Sequence, residues 1–270
     1  MSIKNFLFSL VITFFFITST NSQAKVYVDE SMNKIDSIQF KKKCNTYILK
    51  CLKFTSDSVI VNKVLHKYSF GVLKKDEHLQ LRKFLISDSN LNIDDTKTLL
   101  IKFRDTIYSP NSLKQINDKH NRECEKENPN ISHLNKTLKQ YYSERKKWIK
   151  STNKCIKRIE KKLNSKVIHL YKYNKDAVSS YANFVWIKDT GVIKNKFFNI
   201  MHNYNLLILK PDGEYFLSGN FISDGQINQL LKNKDWTTFK NDFKSSITKN
   251  TTNGKGFFNK KNGIHKSHCF

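Results

Sequence analysis

The residues best able to do chemistry in this chain are five cysteines, at 44, 51, 124, 155 and 269, and a dense set of lysines. Thiols pair as disulfides, attack as thiolates or bind metal, and the redox compartment and local charge decide which. Four of the five can pair and one is left over. Cys44 and Cys51 are close enough in sequence to bridge, Cys124 and Cys155 flank a helical region able to fold back on itself, and spacing alone leaves the connectivity open. Each would serve equally as a small buried hydrophobe. His265, His268 and Cys269 carry ligand chemistry, but three donors make an incomplete tetrahedral site, so no metal is expected there. His120 and Cys124 are four residues apart in a stretch with a poor helical pattern. There is no G-x-S-x-G, P-loop, dinucleotide glycine fingerprint, H-E-x-x-H or calcium loop, and no pair of carboxylates is marked out for acid–base work. His169 reads as a satisfied strand residue, and Asp189 and Asp212 sit beside turns where Asp bonds locally. No cofactor is implied, and Cys155 is the one weak catalytic candidate.

The lysines are concentrated. Between Lys136 and Lys166 twelve Lys or Arg face only two acids, Glu144 and Glu160, a net of +10. Leu134, Leu138, Tyr141, Tyr142, Trp148, Ile149, Ile156, Ile159 and Leu163 recur there at three-to-four spacing, which predicts an amphipathic helix with its charge on the opposite face. Lys146, Lys147, Lys150, Lys154 and Lys157 are the candidate polyanion-binding residues on that face. The plain alternative is a solvated surface. Unbroken, such a helix would be about 50 Å long, so a break near Ser151-Thr152-Asn153 is expected.

The charge is not confined to that helix. The 270 residues carry 48 Lys and Arg against 23 Asp and Glu, a formal net of +25. Only five of those cations are Arg, and they stand beside 29 Asn and three Ala. Drift in an AT-rich genome produces this profile without selection for a polyanion, and phosphate readers lean on the Arg fork. A hydrophobic fraction of 39% with 13% aromatics excludes wholesale disorder.

The amino terminus predicts export. Lys4 precedes a twelve-residue apolar run, Phe6 to Ile17, and Ser22-Gln23-Ala24 sets small residues three and one before a cleavage point at Lys25. A spanning helix needs about 20 apolar residues, and no later stretch approaches that length. Residues 1–24 are therefore read as a cleaved signal peptide and the mature protein as soluble, periplasmic or secreted, with no transmembrane segment and a net charge of +24 once Lys4 is lost.

Four stretches follow. Residues 25–110 read as an N-terminal α+β portion with strands at Val26 to Val28, Tyr47 to Phe54, Ser58 to Leu65 and Thr98 to Phe103, and helices near Ser37 to Cys44 and Lys75 to Leu85. Residues 111–166 read as a polar linker followed by the long basic helix. Residues 167–248 form a C-terminal α/β portion: a strand at Val167 to Tyr173, a helix at Gly191 to Met201, and a strand at Asn205 to Leu209. There Pro211-Asp212-Gly213 forces a reversal into Glu214 to Ser218, and Ser223 with Gln226 forms a capping box for the next helix. Residues 249–270 lack any period and read as a flexible basic tail. The fold class is α/β or α+β, a mixed sheet with flanking helices.

The order strand, helix, strand, helix, hairpin, helix, taken with Thr98 to Phe103 as the opening strand, resembles the thioredoxin-like fold. Asn203 to Phe221 (NYNLLILKPDGEYFLSGNF) is similar to that fold's terminal hairpin. The chain also resembles uncharacterised exported proteins of AT-rich Bacteroidetes over most of its mature length. A thioredoxin-like oxidoreductase needs Cys-x-x-Cys at the start of its first helix, where the dipole lowers the attacking thiol's pKa. This chain has none: Cys155 has Thr152 and Arg158 at the relevant spacings, and no Pro occupies the loop just before Asn205, where that fold usually has its cis-Pro. The resemblance therefore implies a degenerate thioredoxin-like C-terminal half, a fold more than an activity. Together these readings point to a non-catalytic binding protein of the cell envelope, with a degenerate thiol redox protein and an exported polyanion binder as alternatives. The expected partner is an envelope component or an anionic surface.

Overall fold

The computed structural model describes residues 23–87, 93–127, 136–177, 184, 186–198, 204–219, 222–249 and 251–263. Residues 1–22 of the expected signal peptide lie outside the described residues, as do His265, His268 and Cys269. Among the described residues no helix is long and apolar enough to cross a membrane. The chain forms two compact units, residues 1–45 with 49–65, and residues 46–48 with 66–270.

The first unit contains β1 (Ala24–Val28), α1 (Ser37–Cys44), β2 (Leu49–Thr55) and β3 (Val59–His66), whose last residue, His66, is counted in the second unit. Its sheet has the order β1-β3-β2, with β1 parallel to β3 from Ala24↔Val59 to Val28↔Lys63. Asp36 starts α1 as N-cap, its Oδ1 accepting the Ile38 and Gln39 N–H groups at 2.8 and 2.7 Å. No residue of α1 is fully buried. A Cys44–Cys51 disulfide, with the two Cα atoms 5.6 Å apart, ties the end of this helix to β2.

The second unit is a mixed α/β layer structure. Its strands are β4 (Tyr68–Val72), β5 (Thr98–Tyr108), β6 (Ser165–Lys175), β7 (Trp186–Lys188), β8 (Leu206–Leu209) and β9 (Glu214–Ser218). Its helices are α2 (Lys75–Ser87), α3 (Pro110–Glu127), α4 (Leu138–Lys162), α5 (Val192–Phe197), α6 (Asp224–Lys232) and α7 (Thr237–Thr248). The sheet order is β4-β9-β8-β5-β6-β7; β5, β6 and β7 run parallel, and β8, β9 and β4 alternate in direction from β5 outward. The parallel β5–β6 pair requires a long crossover, which α3 and α4 supply. The β8–β9 reversal requires only Pro211-Asp212-Gly213, where Gly213 takes φ +87°.

Strand alternation sorts the core. Leu99, Ile101 and Phe103 of β5 join Ile168, Leu170, Leu207 and Leu209 in one cluster with Leu81 and Leu85 of α2 and Ile193 and Phe197 of α5. The opposite face carries Lys102, His169 and Tyr171 toward α4, and Tyr68, Phe70 and Phe216 toward an aromatic cluster with Phe243, Trp236 and Phe258.

Four expectations are corrected. The stretch after Pro110 is a helix, not a linker: Ser109 Oγ accepts the Ser112 N–H at 3.0 Å, Pro110 stands where its missing N–H costs nothing, and Lys114–Asp118 and Lys119–Glu123 pair along the helix. Its half-buried positions Leu113, Asn117, Asn121 and Cys124 recur at three and four residues, but two of them are Asn, so the sequence shows no apolar period. Second, α4 runs unbroken through Ser151-Thr152-Asn153, because fully buried Thr152 continues the stripe of Trp148, Cys155 and Ile159. Third, residues 251–263 are no flexible tail. They form two 3-10 turns, Gly256–Phe258 and Lys260–Gly263, with Phe257 and Phe258 buried. Fourth, the division at residue 110 does not hold: β4, α2 and β5 belong to the same unit and sheet as the C-terminal strands.

Candidate functional site

Helix α4 displays the basic face. Thr137 and Gln140 form its capping box, the Gln140 side-chain Oε1 accepting the Thr137 N–H at 2.7 Å and the Thr137 hydroxyl accepting the Gln140 backbone N–H at 3.3 Å. Trp148, Thr152, Cys155 and Ile159 recur at three and four residues, which sets the buried side. The helix lies over the β5–β6 face: Arg104 caps the Trp148 ring at 5.1 Å, and Trp148 stacks on Phe184 at 5.3 Å, which in turn meets His169 at 5.2 Å. All five candidate lysines, Lys146, Lys147, Lys150, Lys154 and Lys157, are exposed.

The acids of this region are already engaged. Glu144 pairs with Lys136 at 2.9 Å. Glu160 pairs with Lys166 at 3.1 Å and accepts the Val167 N–H at 3.0 Å, fixing the turn from α4 into β6. None of the five candidate lysines has an ion pair among the described residues. Lys146, Lys150, Lys154, Arg158 and Lys162 form one row at four-residue spacing, about 24 Å long at 1.5 Å per residue.

Beneath α4 the sheet carries further cations. Strand register aligns Trp186, His169, Lys102, Leu206, Ser218 and Tyr68 across six strands. Burial pushes the His169 imidazole down to about 3, with the Arg104 and Lys102 charges adding to it. Burial, then Arg104, lowers Lys102 to about 8. His169 lies against Phe184 and Trp186, ring centroids 5.2 and 4.9 Å away, so it is a packed neutral ring and not an exposed base.

The cysteines sort differently from a Cys124–Cys155 pairing. Cys124 is a free thiol, its Sγ 3.6 Å from His120 Nε2 on α3. Cys155 is disulfide-bonded and sits mid-helix, buried, with Arg158 donating to its sulfur at 3.4 Å. It therefore offers neither a thiolate nor a helix-start position, and the Cys155 catalytic candidate is corrected. Asp189 and Asp212 are local caps: Asp189 accepts the Ile193 and Lys194 N–H groups at 3.1 and 2.7 Å, and Asp212 that of Glu214 at 2.9 Å. Among the described residues no group of three or more His, Cys, Asp or Glu could hold a metal ion.

Sequence reading missed two features. The helix following β5 opens on Ser109-Pro110-Asn111-Ser112, with the two hydroxyl oxygens 3.0 Å apart. The Ser-Pro pair at 109–110 is a helix-start signal, which the polar composition of the residues after it masks. Lys232 and Lys234 also converge on the end of α4, a juxtaposition only the tertiary fold creates. No protein-family profile, curated protein or solved structure matches this chain.

Proposed function

We propose that this chain is an exported, non-catalytic binding protein, and that the solvent face of α4 is its contact surface for an extended polyanion of the cell envelope. The observation that carries the reading is the lysine row itself: exposed, regularly spaced, and unmatched because Glu144 and Glu160 are committed elsewhere. Like charges four residues apart on a helix cost about 0.2–0.5 kcal/mol per pair, so the row opposes helix stability and gains from an anionic partner. The Cys44–Cys51 disulfide and the apolar amino-terminal run support export. Lysine suits a partner read by charge density and not by bidentate geometry.

The sheet order β9-β8-β5-β6, with β5 and β6 parallel and the hairpin antiparallel, supports the thioredoxin-like resemblance as architecture. On that reading the position of a redox pair, at the start of the helix after the opening strand, falls on Ser109 and Ser112. Two hydroxyls cannot exchange disulfides, which favours binding over redox chemistry.

The test is cosedimentation with vesicles of phosphatidylglycerol mixed into phosphatidylcholine. The reading expects binding that rises with the anionic fraction and drops when Lys146, Lys147 and Lys150 become Glu, by about fivefold or more per lysine. Binding that survives the triple reversal contradicts it.

A further inference from the structure

Where α4 ends, its last turn meets the end of α6 and the β8–β9 turn around two adjoining cavities of about 510 and 490 Å³ that share Lys162, Leu163 and Lys232. Their floor is apolar. Ile159 and Leu230 are buried, and Leu163 and Leu231 are half-buried beside them. The rim is cationic, with Arg158, Lys162, Lys232 and Lys234 against a single acid, Asp212, whose Oδ1 already accepts the Glu214 N–H. Lys210, also at the wall, is structural: it pairs with Glu214, donates to the Lys234 carbonyl and lies over the Trp236 ring at 4.2 Å. Lys162, Lys232 and Lys234 are exposed and have no ion pair among the described residues.

Helix dipoles account for part of this. Lys162 and Lys232 stand in the last turns of α4 and α6, where a cation offsets the negative helix end. That leaves Lys234, beyond α6, and it leaves the convergence of four cations on one apolar floor. A cavity of this size with an apolar lining and a few charged groups at one side has the make-up of a small-ligand site. The charge excess selects an anion, and the floor selects one with a hydrocarbon part.

We propose that this groove binds the phosphorylated head of an amphiphile, the phosphate held by Lys162, Lys232 and Lys234 and the acyl chain laid over Leu163 and Leu231. The inference goes beyond the reading of the α4 solvent face: it shares the row's last two cations, Arg158 and Lys162, but its tests rest on Lys232 and Lys234, and Lys150 and Lys162 are about 18 Å apart along the helix. Either can fail without the other.

The probe is dihexanoyl phosphatidic acid, kept monomeric and titrated into the full mature chain by calorimetry. Expected is saturable one-to-one binding that Lys232→Glu with Lys234→Glu weakens at least about tenfold, since each lysine near a phosphate contributes on the scale of a several-fold change. Leu231→Asn should weaken the same titration, and inorganic phosphate alone should bind more weakly than the lipid. The triple reversal at Lys146, Lys147 and Lys150 should leave it within about twofold, because those charges lie beyond a Debye length. The proposal is overturned by the absence of saturable binding, by equal affinity for dihexanoyl phosphatidylcholine or for inorganic phosphate, or by a loss that follows the triple reversal and not the Lys232/Lys234 pair.

Discussion

His169 and Lys102 are adjacent in register on β6 and β5, and both are bases held below their ordinary pKa by burial. For His169, between about pH 3 and its ordinary 6.5 the unfolded chain binds a proton that the folded chain refuses. Stability is therefore fully present above 6.5 and lost as pH falls through that window, by a few kcal/mol in order of magnitude. Urea unfolding of wild type against His169→Leu at pH 7 and pH 4 measures this; the variant should lose less stability over that interval. An equal loss in both would place the acid sensitivity elsewhere. Lys102 gives the opposite end of the scale: from about pH 8 to its ordinary 10.5 the unfolded chain holds the extra proton, so stability rises with pH there. The strand character of these residues was legible from the alternation of Val167 to Tyr173. Their shared row was not, because register between distant strands is set by the whole sheet.

At the scale of elements, the clearest lesson is in the helix after β5 and the turns after α7. Both lack a run of apolar residues at regular spacing, so the sequence pattern predicts irregular chain in each. The α3 helix is held by a cap, a proline and ion pairs, none of which leaves a 3.6-residue apolar signature. The 257–258 turn is held by two rings: Phe258 is fully buried, 4.7 Å from Tyr68 and 5.3 Å from Phe243. One buried aromatic pair has no period to detect. Phe258→Ala should cost about 3–5 kcal/mol of unfolding free energy, measured in urea; a change below about 0.5 kcal/mol would mean that the segment is not anchored. The α4 cap is a smaller test, Thr137→Ala costing about 1 kcal/mol. By contrast, the amphipathic stripe of α4, the Asp-Gly reversal and the Ser223 capping box were each legible, since local chemistry alone dictates them. The polar residues at 151–153 predict a break that α4 does not have, because Thr152 goes inward despite its hydroxyl.

For the whole molecule, a net charge of +25 makes self-repulsion general, and α4 concentrates it. Added salt screens such repulsion, so the thermal midpoint should rise by a few degrees between about 10 and 200 mM sodium chloride. A fall would mean that the favourable ion pairs, such as Lys43–Glu30 and Lys166–Glu160, outweigh it. Composition alone reads much of this charge as genome bias. In α4 the fold commits both acids to other partners and leaves a row of cations in solvent. The central claim, that this row is a polyanion-binding surface, is tested most directly by the salt dependence of heparin binding for wild type and for the chain with Lys146, Lys147 and Lys150 changed to Glu. The account predicts a steep linear fall of log affinity with log salt in wild type, and a slope shallower by about two to three in the variant, because fewer counterions are released. Equal slopes would contradict it.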